Sequence, residues 1–344
     1  MTKRTTLKSI AEKLNVSIAL VSYVINNKGK EMRVSDKMVK KIKDVAAELN
    51  YKPNHVAKSL RSKRQMSIGC IVDDISNPFF SELARNVEDH AHEHGYTVVF
   101  GSSDEDLKKF RDLTDFFISR QLDGILIAPP EGSKEDIIKL KEYNIPIVLL
   151  DRYYNDVGLN GVVVNNYWGA KKVVEQLLQN GLKKVGMISY ESEMEHFCQR
   201  ERGYVEALKE AGIKYSDDLI KKINYKKLRS DVQRAIDELV NEIKVDAIFF
   251  QTNSLTLEGL KHIVRKGYKI PDDFEVVAFD ESEVYHFFNH PINYVEQPLM
   301  EMAKKAVSIL LDEIDNKKTD YNIEYIDPKI SCCNIDKQAT NIKG

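Results

Sequence analysis

From Met66 onward, the sequence alternates short apolar runs rich in β-branched residues with amphipathic stretches of helical length. The apolar runs are SIGCIV, TVVFG, GILIA, PIVLL, KVGMIS, DAIFFQ and EVVAF, and helical stretches such as FFSELARNVEDHAHEHG and WGAKKVVEQLLQNG lie between them. Because parallel strands are usually joined by a crossover helix, this alternation predicts doubly wound parallel sheets with helices on both faces. The segment is too long for one ordinary core, so we expect two lobes with a cleft between them.

The first 64 residues differ from the rest of the chain in charge. They contain 16 Lys and Arg residues and 5 Asp and Glu residues, a balance of +11. Because the whole chain carries a net charge of −2, the remainder carries −13. A basic block joined to an acidic body predicts a module that binds a polyanion, attached to a domain with another role. A solvated basic tail is the alternative, but this block is patterned for helices.

Composition and motifs exclude several classes of protein. With 42% hydrophobic and 30% charged residues, the chain is typical of soluble globular proteins, and it lacks the apolar run of a membrane span. The segment MTKRTTLKSIAEKLNV lacks the apolar core of a signal peptide, which indicates a cytoplasmic location. No GxGxxG, Walker or GxSxG motif accompanies any strand, so we expect no cofactor and no enzymatic activity. The spacing of the cysteines suits neither a disulfide framework nor zinc: Cys70, Cys198, Cys332 and Cys333.

Three short helical patterns occupy the basic block. Thr6 can cap a helix over Leu7–Leu14, and Ser17 can cap a second helix over Ile18–Asn26 after the turn NVS. A third pattern opens at Ser35 and continues through DKMVKKIKDVAAEL. Three helices with a tight turn between the first two predict a helix-turn-helix, whose second helix enters the major groove and reads base edges.

The stretch TLKSIAEKLNVSIALVSYVINN, followed by YKPNHVAKSLRSK, resembles the lactose-repressor family of bacterial transcription regulators. The resemblance implies a homodimeric regulator, more often a repressor, that binds double-stranded operator DNA. It implies base reading at Ile18, Ala19 and Tyr23, phosphate contacts from the same helix, and a hinge helix over residues 54–62 that wedges into the minor groove. An ordinary linker is the alternative for the hinge. The full predicted DNA-binding set is Thr6, Ser17, Ile18, Ala19, Ser22, Tyr23, Asn26, Val56, Ala57 and Leu60.

The second helix departs from the family at Tyr23, where arginine is common. Arginine binds guanine through two hydrogen bonds, whereas tyrosine offers one hydroxyl and a flat ring that suits a thymine methyl group. We therefore expect an operator without the usual guanine at this place. The alternative is that Tyr23 only packs on its neighbours, as Val21 and Ile25 must do on the opposite face of the helix.

The loop KGKEMR, which precedes Val34, is longer than is usual in the family. Its cations, Lys28, Lys30 and Arg33, can contact DNA phosphates or remain solvated. The sequence alone leaves both interpretations open.

Polar and aromatic side chains follow several predicted strands, at the edge where parallel α/β sheets bind ligands. Rings beside carboxylates, amides and arginines suit a sugar, because the sugar ring stacks and its hydroxyls are held in pairs. This part of the chain also resembles the effector domain of the same family and the periplasmic sugar-binding proteins. Ser254 departs from the aspartate that is common there, and a purine or another small polar metabolite would also fit. The predicted effector contacts are Phe79, Phe80, Asp151, Arg152, Arg200, Asn253, Asp280 and Gln297.

Two local patterns suggest other chemistry. His90 and His94 lie one helical turn apart, as a metal pair would, but no further ligand is evident and we expect no metal site. Asp73 and Asp74 follow the first strand as an acidic pair, yet no phosphate-binding glycine loop accompanies them. We therefore assign no cofactor or metal chemistry to either pattern.

Together these features predict an all-α helix-turn-helix domain followed by a two-lobed, doubly wound α/β effector domain of the type I periplasmic-binding-protein kind. A carbohydrate receptor would need a secretion signal in place of the recognition helix, and an enzyme would need a nucleophile–base pair or a cofactor loop. The predicted function is therefore a transcription regulator whose operator affinity responds to a small molecule, most simply a sugar, held between the lobes. The predicted domains are residues 1–52 (helix-turn-helix), 53–65 (hinge helix and linker), 66–163 with 298–324 (N-terminal lobe) and 164–297 with 325–340 (C-terminal lobe).

Overall fold

The structure, a computed structural model, describes residues 5–51, 64–317 and 321–331. The chain divides into two compact units, residues 1–65 and 66–344, and each has a hydrophobic core of its own. In the described parts of the chain, no helix combines the length and the hydropathy needed to cross a bilayer.

The first unit is a helix-turn-helix domain, as predicted. Thr6 and Ser17 begin the first two helices, because their hydroxyls accept hydrogen bonds from the amides of Ser9 (3.3 Å) and Leu20 (3.1 Å). The second helix ends one residue before the predicted end. The helices of this unit are α1 (Leu7–Leu14), α2 (Ile18–Ile25) and α3 (Asp36–Glu48).

The core of the first unit corrects one detail of the prediction. Ile10, Val21, Val24 and Ile42 are almost completely buried at its centre. Val24, rather than the predicted Ile25, takes the inner position beside Val21, and Ile25 is only half-buried. Residues three apart share one face of a helix, so Val21 and Val24 point together at the neighbouring helices.

The second unit alternates strands and helices along its whole described length. Its strands are β1 (Ser67–Val72), β2 (Thr97–Ser102), β3 (Gly124–Ile127), β4 (Ile147–Leu150), β5 (Asn160–Val164), β6 (Val185–Tyr190), β7 (Ile220–Ile223), β8 (Ala247–Phe250), β9 (Glu275–Phe279), β10 (Asn293–Glu296), β11 (Ile323–Ile326) and β12 (Lys329–Ser331). Its α-helices are α4 (Pro78–Glu93), α5 (Leu107–Ser119), α6 (Lys134–Leu140), α7 (Asn166–Gln179), α8 (Glu195–Glu210), α9 (Leu228–Asp237), α10 (Asn253–Lys266) and α11 (Leu299–Ile314).

These strands form two six-stranded sheets, one in each lobe. The order is β11-β5-β4-β3-β1-β2 in the first sheet and β12-β10-β9-β8-β6-β7 in the second. All pairs are parallel except β10 with β12, which is antiparallel. The prediction of two doubly wound parallel sheets is confirmed, with an antiparallel edge strand that was not foreseen.

Every apolar run named from the sequence forms a strand, but β5, β7, β10, β11 and β12 were not foreseen. The last four are short and partly exposed, and polar residues interrupt them, so they show no continuous apolar run. β5 is fully buried, but its apolar run is only three valines long. An apolar run of that length is too short to predict a strand from the sequence alone.

The chain passes between the two sheets three times: after β5, after β10 and after β11. The predicted lobe boundaries at residues 163 and 324 fall inside β5 and β11, because both strands stay hydrogen-bonded to the first sheet until Val164 and Ile326. After the second crossing, α11 packs on α4 and on β3, β4 and β5, so it belongs to the first lobe.

Helices α7 and α8 approach each other closely at Gly203. A Cβ atom built on this glycine would lie 2.3 Å from the carbonyl oxygen of Tyr167 and 2.9 Å from the amide nitrogen of Lys171. Both obstacles are backbone atoms, which cannot rotate away as a side chain can. The close approach also brings Arg200, one turn earlier on α8, beside Asn166 at the start of α7.

Gly203→Ala should therefore lower the free energy of unfolding by about 2–3 kcal/mol, because the two helices must separate to admit the methyl group. Urea unfolding followed by circular dichroism measures the change. Lys209→Ala, at an exposed site on the same helix, is the control and should alter stability by less than about 0.5 kcal/mol. Equal stability of Gly203→Ala and the parent protein would contradict this packing.

Candidate DNA-recognition surface and effector cleft

The base-reading positions predicted from the sequence lie on the exposed side of α2. Ser17, Ile18 and Ala19 are exposed at its N-terminal end, and 48% of the Ile18 surface remains accessible. Tyr23 follows a turn later and is 37% exposed. Because the buried side of α2 is formed by Val21, this arrangement leaves one face free to enter a DNA groove.

The structure describes three of the other predicted DNA-binding residues, which are Thr6, Ser22 and Asn26. The Asn26 amide donates to the carbonyl oxygen of Ser22 at 2.8 Å and lies 3.3 Å from the Ser22 hydroxyl, so both side chains lie along the C-terminal turn of α2. The Thr6 hydroxyl is engaged in the cap of α1. The hinge residues lie outside the described residues: Val56, Ala57 and Leu60.

All eight predicted effector residues line one cavity between the two lobes, which holds about 490 Å³ of empty space, part of it open to solvent. The strands place them there because parallel strands of both sheets end at this cleft. The cavity is also lined by residues outside the predicted effector set, which are Asp73, Asn77, Tyr190, His196, Phe197, Tyr225, Thr252 and Ser254.

Arg152 carries a buried positive charge on the first lobe. Its guanidinium forms ion pairs with Glu105 and with Asp73, the latter at 3.4 Å, and lies 5.6 Å from the centre of the Phe80 ring. Burial alone would lower the pKa of Arg152, but Glu105 and Asp73 outweigh it and raise the pKa. Asp73, one of the two acidic residues that follow β1, is thus part of the cleft.

Arg200 is the corresponding cation of the second lobe. It donates to Asn166 Oδ1 and to the carbonyl oxygen of Gln251, both at 2.7 Å, and lies 3.6 Å from the centre of the Phe279 ring. Burial lowers the pKa of Arg200. The ring contact and the two hydrogen bonds compensate the buried charge in part, which fixes the guanidinium in one position.

Two aspartates that follow strands bend the chain into the cleft. Asp151 and Asp280 both adopt positive φ angles, +67° and +81°, which aspartate tolerates better than most residues. Burial raises the pKa of Asp151 to about 6, against the opposing charges of Arg152 and Arg200. The Asp280 carboxylate accepts hydrogen bonds from the Asn253 amide at 3.0 Å and from the Gln297 side chain.

An aromatic wall closes one side of the cavity. Tyr190 and Tyr225 stack face to face, with ring centres 3.8 Å apart and planes 8° apart, and Phe197 lies beside them. The Tyr190 hydroxyl is 2.8 Å from that of Ser254. The serine that departs from the family pattern therefore has a hydrogen-bond partner in this chain, a tyrosine from a distant segment.

Three residues that line the cavity each have a buried polar atom without a hydrogen-bond partner within the described parts of the chain: Arg152 Nε, His196 Nδ1 and Gln297 Oε1. Burial, together with Arg152 and Arg200, holds the pKa of His196 well below its ordinary value, so the imidazole is neutral. Unsatisfied buried polar groups are costly, and they are satisfied when a ligand supplies the missing partner.

A clasp of hydrogen bonds joins the lobes at the edge of the cleft. The Glu131 carboxylate, on the loop after β3, accepts from the Ser192 hydroxyl at 3.1 Å and from the Glu193 amide at 3.2 Å. The Glu131 amide in turn donates to Glu105, the partner of Arg152. The clasp therefore connects the charge in the cavity to the contact between the lobes.

The histidine pair of α4 makes local contacts. His90 Nδ1 lies 3.3 Å from a Glu93 carboxylate oxygen, and His94 Nδ1 lies 2.9 Å from the carbonyl oxygen of His90. Over residues 5–51, 64–317 and 321–331, no group of three His, Cys, Asp or Glu side chains is arranged to hold a metal ion.

Known proteins resemble the chain in both of its parts. Residues 6–54 match the family described as bacterial regulatory proteins, lacI family, and residues 65–335 match the periplasmic binding proteins and sugar binding domain of the LacI family. The chain belongs to the LacI family. Both matches together span nearly the whole sequence, so the family explains the recognition helix and the cleft at once.

Individual LacI-family relatives are similar to the chain over more than nine tenths of their length. The ribose operon repressor of Halalkalibacterium halodurans is 33% identical and covers 92% of each chain. The HTH-type transcriptional repressor PurR of Aliivibrio salmonicida is 27% identical and covers 94% of this chain and 97% of its own. The crystal structure of the lac repressor dimer bound to operator and the anti-inducer ONPF, with 20% identity and a TM-score of 0.81, covers 95% of this chain and 98% of its own and shows the shared fold.

These findings confirm the predicted fold class and the predicted function. This LacI-family protein is a DNA-binding transcription regulator that responds to a ligand, and it is not an enzyme. The roles of the individual residues on α2 and in the cleft stay predictions.

Asp151→Asn should stabilise the protein in a pH-dependent way. Because burial raises the pKa of Asp151 from 3.8 to about 6, the charged carboxylate costs stability progressively as pH rises from 4 to 6. At about 1.4 kcal/mol per pKa unit, the substitution should raise the free energy of unfolding by up to about 3 kcal/mol at pH 7.5 and change it little at pH 4.

Urea unfolding at the two pH values measures this difference. Asp115→Asn, at an exposed site on α5, is the control and should leave stability unchanged at both. An equal effect of Asp151→Asn at pH 4 and pH 7.5 would show that burial does not raise the pKa of this carboxyl group.

Proposed function

We propose that the protein is a cytoplasmic, homodimeric repressor whose operator affinity changes when an uncharged sugar occupies the cleft. One observation carries the choice of ligand: residues that line a cavity with an aromatic wall hold buried donors and acceptors without hydrogen-bond partners among the described residues. A sugar hydroxyl both donates and accepts hydrogen bonds, so a few hydroxyls can satisfy Arg152 Nε, His196 Nδ1 and Gln297 Oε1 together. The ring of the sugar would lie against Tyr190 and its neighbours.

The charges around the cleft favour a neutral ligand over a phosphate ester. Two cations, Arg152 and Arg200, are set against four carboxylates, those of Asp73, Glu105, Asp151 and Asp280. An added phosphate would meet this excess of negative charge after losing its hydration. A ribose operon repressor among the relatives, and a solved regulator, CelR, in complex with cellobiose at 22% identity, agree with a sugar.

On the DNA side, we propose that α2 reads bases through Ile18, Ala19 and Tyr23. Ser17, Ser22 and Asn26 would contact phosphates, and Thr6 would contact the DNA backbone from the start of α1. A dimer would read two half-sites of a near-palindrome. The hinge residues would bend the operator through the minor groove. They are Val56, Ala57 and Leu60.

Ligand binding would affect DNA binding through closure of the two lobes, with the three segments that cross between the sheets acting as the hinge. A sugar that contacts Arg152 on one lobe and His196 on the other binds the closed form more tightly than the open form. It therefore shifts the population towards closure, because a ligand moves an equilibrium only through such a difference in affinity. The Glu131 clasp would hold the same closed form.

The first test is selection of binding sites from a random duplex pool with the full-length protein, at fixed salt and without ligand. We expect a near-palindromic sequence. The selection repeated with Tyr23→Arg should enrich guanine at one position of each half-site and leave the other positions unchanged, because arginine binds guanine through two hydrogen bonds. Identical winners from both proteins would mean that Tyr23 does not read a base.

The second test measures effector binding by calorimetry with D-ribose, D-glucose, D-galactose, cellobiose and adenine. We expect binding of at least one sugar, and His196→Phe should weaken it by about tenfold or more, because the ring remains while the acceptor or donor at Nδ1 is lost. His92→Phe, at an exposed site on α4, is the control and should bind as the parent does. Binding of adenine alone would replace the sugar with a purine, whose ring the aromatic wall would also accept.

A further inference from the structure

The loop between α2 and α3 is a fixed part of the first unit. We call residues 27–33 the basic loop. Its backbone is anchored to α2 by a hydrogen bond from the Lys28 amide to the Tyr23 carbonyl oxygen, at 2.8 Å. The Val34 amide closes the loop by donating to Gly29 at 2.8 Å. Gly29 is buried, and a Cβ atom there would lie 3.1 Å from Val39, so the base of the loop packs on α3.

This anchored loop presents positive charge to solvent. Lys28, Lys30 and Arg33 are all exposed, and none of them has an ion-pair partner among the residues that the structure describes. Glu31 is the single anion in the loop, so its net charge is +2. On α1, by contrast, Lys8 and Lys13 form ion pairs with Glu12 at 3.8 Å and with Glu48 at 2.6 Å. The basic loop therefore keeps its charges available for a partner outside the unit.

The place of the loop in the fold indicates the partner. The loop begins directly after Asn26, at the C-terminal end of the helix whose opposite end holds Ile18 and Ala19. A recognition helix lies in the major groove, and its ends approach the phosphate backbones that border the groove. Cations held at such an end are suited to phosphates, which supply most of the affinity of DNA-binding proteins.

We infer that the basic loop is an additional phosphate-binding surface, through which Lys28 and Lys30 contact the DNA backbone beside the base-reading face of α2. This inference rests on the proposal that α2 reads the operator. It goes beyond that proposal, because the contacts come from a loop outside the helix-turn-helix contacts proposed above. Such contacts strengthen binding to any DNA sequence and leave the preferred sequence unchanged.

The test is the salt dependence of DNA binding by the full-length protein. The double variant Lys28→Gln, Lys30→Gln keeps the length and polarity of the loop and removes two charges. Two duplexes of equal length are the probes: the sequence obtained by selection and a random sequence. Because the proposed dimer carries two copies of the loop, the variant loses four contacts, and the slope of log K against log [KCl] should fall in magnitude by about 3.6, which is about 0.9 for each lost phosphate contact. Affinity for both duplexes should fall by the same factor, about tenfold or more at 0.1 M salt.

The charge-matched control is Lys40→Gln, Lys43→Gln, which removes two exposed lysines from α3 beyond its first turn. Its slope should stay at the parent value. Arg33, whose φ angle is +54°, is left unchanged so that the test is confined to Lys28 and Lys30. Glu31→Lys provides the opposite change and should steepen the slope, since it adds a cation to the same loop.

Three results would overturn the inference. A loop variant with the slope of the parent, or a control variant that loses as much slope, would show that these lysines are only solvated charges. Loss of binding to the selected duplex with an unchanged slope would show that the loop supports the shape of α2 instead. If selection yields no sequence, operator reading by α2 fails, while the random duplex still decides the role of the loop. Thermal unfolding of each variant identifies any loss that comes from misfolding.

Discussion

Compensation of buried charge is the constraint on which the cleft depends. Arg152 and Arg200 lie almost completely inside the protein, where an unpaired guanidinium would be very costly. Each therefore needs partners at fixed places: carboxylates of the first lobe for Arg152, and a side-chain amide, a carbonyl oxygen and an aromatic ring for Arg200. Those partners come from the ends of different strands and helices. The register of both sheets and the close approach of α7 and α8 are thus tied to the chemistry of the cavity.

Much of the fold was predictable because its central strands are buried on both faces, which leaves continuous apolar runs in the sequence. Edge strands such as β7 and β12 contain lysines and show no apolar run, so the sequence did not predict them. They form because neighbouring strands of the folded sheet pair with them. The exchange of Ile25 for Val24 in the first core has a similar origin. Both are apolar, and the angle at which helices pack decides which one is inside.

Some residues of the cleft could likewise be predicted from the sequence, and others could not. Residues directly after a buried strand, such as Asp151 and Asp280, could be named because strand ends meet at one edge of a parallel sheet. Tyr225 follows an edge strand and His196 lies on a helix, so neither position signals a cavity from sequence alone. The link between Tyr190 and Ser254 joins residues that lie 64 positions apart. What could not be predicted is mostly contact between distant segments.

The three crossings between the lobes have a consequence for synthesis of the chain. The first lobe is completed by α11 and β11, which are translated after all strands of the second sheet except β12. Until α11 leaves the ribosome, the apolar faces of β3, β4 and β5 that it covers stay open to solvent or to other chains. Of the strands that the structure describes, the second lobe lacks β12 alone at that point, so it can fold first. An N-terminal lobe that exposes apolar surface until its last helix is made is expected to bind chaperones that protect nascent chains.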